Sequence, residues 1–88
     1  MIIIQNKGSN TIYIETSELS GVGFAISIDE AKSIIQATKK ENFLDNGISF
    51  FLEEKIVRFA FGGSHRVVVD LEKQEFLTGL KKVLEELQ

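Results

Sequence analysis

The stretch KIVRFAFGGSHRVVV, residues 55–69, decides how this chain is read. Apolar and polar side chains alternate on both sides of a Gly-Gly pair, which is the period of extended backbone. Two glycines between β-rich runs also supply the positive φ of a tight hairpin turn. The alternative is a phosphate-gripping loop, in which successive backbone amides face an anion at a helix N-terminus. That context is missing, because the pair leads into a second strand pattern over 65–69 and not into a helix. The segment therefore predicts an antiparallel hairpin. Gly62, Gly63, Ser64 and His65 remain a candidate ligand loop at its tip.

Working outward, Asn46-Gly47 resets the chain before a strand over 48–53, and Glu53-Glu54 turns it into the strand over 55–61. Beyond the hairpin, Asp70 is placed to cap a helix with Glu72 and Glu75 in its first turn. Phe76, Leu77, Leu80, Val83, Leu84 and Leu87 form the apolar stripe of that helix. The first half follows the same order. Strands over 2–5, 11–15 and 22–26 lead to S-I-D-E at Ser27, a capping-box signature, and to a helix whose stripe is Ile28, Ala31, Ile34, Ile35 and Thr38. Lys39 and Lys40 are placed to close it against the carbonyl end of the dipole.

Sliding the chain by 43 residues lays Ser27 on Asp70, Ile34 on Leu77 and Lys39 on Lys82, which suggests an internal duplication of residues 1–43 in 46–88. The expected fold is α+β: two βββα units forming one mostly antiparallel six-stranded sheet, with two helices on one face. One domain spans 1–88, since 88 residues, 43% of them hydrophobic, build a single core.

Composition bounds the function. Without cysteine the chain has neither disulfides nor a thiolate metal site, and a lone histidine, His65, cannot assemble a zinc site or a catalytic dyad with its strand neighbour Ser64. No cofactor or metal is expected. The apolar run 2–4 is too short for a signal peptide or membrane span, so a soluble, cytoplasmic protein without membrane contact is expected. Thirteen acidic against ten basic residues give a net charge of −3, which opposes nonspecific attraction to nucleic acid. Asp29, Glu30, Asp70 and Glu72 are the carboxylates an active site would draw on, but all sit at helix starts, where capping explains them. Gly79 lies within the second helix at a cost of about 1 kcal/mol relative to alanine, which points to a close neighbour, either the first helix or a partner subunit.

Alternation gives the sheet two faces. Ile12, Ile14, Ile48, Phe50, Leu52, Val57, Phe59 and Phe61 form the set that packs under the helices. The opposite set holds Tyr13, Phe51, Arg58, Ala60, Arg66 and Val68, too polar for a core yet carrying two aromatics and two arginines. An ordinary wetted surface, a protein interface and a platform for single-stranded nucleic acid all fit such a set. The expectation adopted is a small non-enzymatic protein that binds protein through Tyr13, Phe51, Arg58, Arg66 and Val68. It would be a homodimer first, or an inhibitor or accessory factor of a larger complex. Nucleotide or single-stranded nucleic acid, held by Arg58, Arg66 and the Gly62-Gly63 turn, is the alternative.

Overall fold

The computed structural model describes residues 2–8, 10–16, 23–44, 47–61 and 67–87. Its elements run β1 (Ile2–Asn6), β2 (Thr11–Thr16), β3 (Gly23–Ser27), α1 (Ile28–Gln36), β4 (Glu41–Phe43), β5 (Ile48–Leu52), β6 (Ile56–Phe61), β7 (Val67–Glu72) and α2 (Lys73–Glu86). All strand pairs are antiparallel between sequence neighbours, and no helix among the described residues is long and apolar enough to cross a membrane.

The class is α+β, but the single six-stranded sheet is not formed. Strands β1-β2-β3 make one sheet and β4-β5-β6-β7 another. Alternation fixes which face a side chain takes and leaves the lateral neighbour of a strand open, because backbone pairing is nearly indifferent to side-chain identity. The seventh strand, Glu-Asn-Phe at 41–43, is too short to show a period.

Both helices pack on the inner sides of the two sheets. Helix α1 lies against β2, β3 and α2, and α2 against β1, β6 and β7. The inward set expected from alternation is in place: Ile12, Ile14, Ile48, Phe50, Val57 and Phe59 are buried, and Leu52 and Phe61 pack at the margin. Phe59 is fully buried at the junction of three layers. Its ring lies 5.0 Å from Phe24 of β3, 5.8 Å from Phe50 of β5 and 5.5 Å from Phe76 of α2, the last edge to face.

Helix ends show where local chemistry wins and where it yields. Ser27 caps α1 in a full capping box: its hydroxyl accepts from the Glu30 amide at 3.0 Å, and Glu30 Oε1 accepts from the Ser27 amide at 2.8 Å. Asn10, held at φ 60°, adds its Oδ1 as acceptor for the Ile28 amide at 3.3 Å. Helix α1 stops at Gln36, short of Lys39 and Lys40. Thr38 is thus outside it, and Lys40 instead approaches Glu53 at 3.9 Å.

Asp70 is not a cap. Strand β7 runs on two residues, because Leu71 continues the inward alternation of Val69, and Glu72 caps α2 through the Gln74 and Glu75 amides. The shift of 43 residues therefore lays a cap on a strand residue. The β2–β3 and β6–β7 registers coincide at a shift of 45, which carries the pair Thr11–Ser27 onto Ile56–Glu72, whereas the β1–β2 and β5–β6 registers differ by one residue under the same shift.

The close neighbour of Gly79 within the chain is Ile4 of β1 and not α1: a Cβ on Gly79 would sit 3.0 Å from Ile4 Cδ1. Gly79→Leu is expected to destabilise the fold by about 1–3 kcal/mol through overpacking, read as a lower urea midpoint. Phe59→Ala is expected to cost about 3–5 kcal/mol, a large share of the stability available to a domain of this size.

Candidate protein-binding face

The outer face of the four-stranded sheet is set by register. Pairing aligns Phe43, Ser49, Ala60 and Val68 in one row and Glu41, Phe51, Arg58 and Asp70 in the next. Inward neighbours such as Phe50, Val57, Phe59 and Val69 are buried, so these two rows face away from the core. Among the described residues neither α1 nor α2 covers them. Phe43 is 75% exposed and Val68 48%, while Phe51 and Ala60 are half-buried between their neighbours.

Arg58 and Asp70 stand directly opposite on β6 and β7 and join through two bonds, Nε to Oδ1 at 2.7 Å and Nη2 to Oδ2 at 3.1 Å. The hydrogen bonds from Arg58 hold the Asp70 carboxyl below the usual carboxylate range, against a smaller upward push from partial desolvation. The Arg58 guanidinium is raised in turn, first by its hydrogen bond to Asp70 and then by that residue's charge, with Glu53 adding to it. A phosphate approaching Arg58 would have to compete with that carboxylate.

Phe51, Arg58 and Val68 thus share one surface. Tyr13 does not belong to it. It lies on the outer face of the three-stranded sheet, between Gln5 and Ala25, with its ring laid over Gly23 so that a side chain at 23 would collide with it. The two outer faces belong to different sheets because the chain passes from one to the other through α1. Gly62, Gly63, Ser64, His65 and Arg66 lie outside the described residues.

Phe43 is the residue of this face that alternation overlooked. Only the register of β4 against β5 reveals it, although an aromatic shortly before Asn46-Gly47 marked the spot.

Four of the carboxylates have structural partners, while Asp29 stands exposed in the first turn of α1. Glu30 and Glu72 cap helices, Glu75 accepts from the Ile2 amide at 3.0 Å, and Asp70 holds Arg58. Among the described residues no three metal-ligating side chains come together. A groove of about 640 Å³ between β1 and α2 has Ile2, Ile4, Gly79 and Val83 in its wall, and two of its carboxylates are the engaged Glu72 and Glu75. No family model, curated protein or solved structure matches the chain.

The Arg58–Asp70 pair gives a pH signature of definite sign. Asp70 titrates below its ordinary 3.8 in the folded chain, so the pair's stabilisation is present above that value and fades as pH falls through the lower folded one. Both side chains are nearly half exposed, at 45% and 43%, so the effect is small. Asp70→Asn should lower the urea midpoint slightly at pH 7, and the difference from the parent should shrink below pH 3.8.

Proposed function

We propose that the chain is a non-enzymatic protein-binding module that acts through the outer face of β4–β7. The observation that carries this reading is the row in which a 75%-exposed Phe43 and a 48%-exposed Val68 flank Ala60 and Ser49, beside the row holding Phe51 and Arg58. Aromatic and arginine side chains concentrate at the centres of protein interfaces, and sheet pairing holds their backbones in fixed register, so little order has to be gained on binding. The engagement of Glu30, Glu72, Glu75 and Asp70 in caps, an edge contact and a cross-strand pair supports a binding role over a catalytic one.

Nucleotide or single-stranded nucleic acid draws less support. The one arginine of the face among the described residues is neutralised by Asp70, and the net charge of −3 adds to the repulsion of phosphate. Self-association through the same face, the homodimer expected from the sequence, is the simplest form of the proposal.

Two measurements test it. Native mass spectrometry reads self-association directly. A photo-crosslinking phenylalanine at position 51 or 68 should give discrete protein adducts, with itself or another chain, while the same probe at Gln5 on the other sheet should not. A purely monomeric mass together with no adduct specific to 51 and 68 would sink the reading.

A further inference from the structure

The chain is acidic as a whole, yet its lysines are gathered on one side. Two grooves of about 450 and 490 Å³ meet at Lys73 and Leu77. The first lies between the end of α1, the end of β5 and α2. Its floor is Ile35, Ala37, Leu52 and Leu77, all half-buried and packed on the core. Lys39 and Lys40 stand on its rim because α1 stops at Gln36, before the lysines that its stripe leads to. The second groove continues past Leu77 to Lys55 and Lys81.

Lys39, Lys40, Lys55, Lys73 and Lys81, five of the eight lysines, thus border one continuous depression. Against them stand Glu54 and Glu72, which leaves three positive charges in excess on a chain of net charge −3. Lys73 is tied down by its donation to the Glu53 carbonyl at 3.1 Å, and Lys40 has Glu53 Oε2 at 3.9 Å. Lys39, Lys55 and Lys81 are exposed and have no carboxylate partner among the described residues. Like charges held together raise the local potential, which an anionic partner relieves.

We propose that this depression seats an acidic, amphipathic segment of a partner protein. Its apolar side chains would cover Leu52 and Leu77, and its carboxylates would lie among Lys39, Lys40, Lys55 and Lys81. Each groove holds the volume of about fifteen waters, room for several side chains and far more than a single anion needs. Neither groove is lined by an aromatic ring, so nucleobases have nothing to stack on. The apolar residues form a floor below a charged rim, whereas a membrane-binding patch thrusts them outward into the acyl boundary. A two-fold contact with a second copy would bring the lysines against their own images. The lining shares no residue with the two outer rows of β4–β7, so this is a further surface, independent of the reading above.

The probe is an acetylated peptide of glutamate and leucine, its leucines spaced three and four apart, titrated into the isotope-labelled full chain and followed by amide chemical shifts. The expected result is saturable shifts at Ile35, Ala37, Leu52 and Leu77, weakening severalfold as salt rises from about 0.02 to 0.2 M. Replacing the peptide's leucines by serine should weaken binding about tenfold, and replacing its glutamates by lysine should abolish it. Lys55→Glu with Lys81→Glu, both exposed, should weaken binding about tenfold or more and leave the urea midpoint unchanged. Lys7→Glu with Lys82→Glu changes the net charge equally outside the depression and should leave binding within about twofold. No shifts on the floor, or equal losses in the two double variants, would overturn the proposal. So would full binding by the leucine-free peptide, or tighter binding by a thymidine decamer or phosphatidylserine vesicles. Shifts at the same residues on concentrating the protein alone would assign the surface to a second copy and overturn it as well. Adducts from positions 51 and 68 report on the outer face alone, so either surface can fail without the other.

Discussion

Everything in this fold leans on the ring of Phe59. In it the three-stranded sheet, the four-stranded sheet and α2 meet, through Phe24, Phe50 and Phe76. Among the described residues the two small sheets share no backbone hydrogen bond, so side-chain packing is what keeps them in one body. An aromatic cluster supplies that with few residues, since each ring buries a large area in a fixed orientation. The outer face of β4–β7 inherits its rigidity from this arrangement: Arg58 and Ala60 flank Phe59 in sequence and point the opposite way because it is held inward.

The second constraint is the accounting of backbone donors. The start of α1 is served by Ser27, Glu30 and Asn10, and the start of α2 by Glu72. Acidic residues that look like chemistry in the sequence are mostly consumed this way, which leaves the surplus oxygen of Glu30 conspicuous. A carboxylate has two acceptors and the capping box uses one.

The sequence makes some of this legible and hides the rest for definable reasons. The inward set from Ile12 to Phe61 and the stripes of both helices, Thr38 apart, can be read from period alone, because burial leaves its mark residue by residue. The partition into two sheets cannot, since no side-chain pattern encodes which backbone edge is left open. Asp70 misleads because a helix cap and a cross-strand ion pair draw on the same residue type, and only the inward-facing Leu71 after it distinguishes the two. Tyr13 and Phe51 look equivalent by alternation, yet face outward from different sheets. Phe43 escapes because a three-residue strand has no period to read.

The clasp between β1 and α2 has a kinetic meaning. The Ile2 amide meets the Glu75 carboxylate across 73 residues, and Ile4 packs beneath Gly79 of the same helix. A contact between residues 73 positions apart cannot form until everything between them has been made. During synthesis the first sheet must wait at the ribosome with the α2-facing side of β1 uncovered, and its final closure is a late, long-loop event. For this small domain, the interval between translating Ile4 and translating Gly79 is the period of greatest exposure to misassociation.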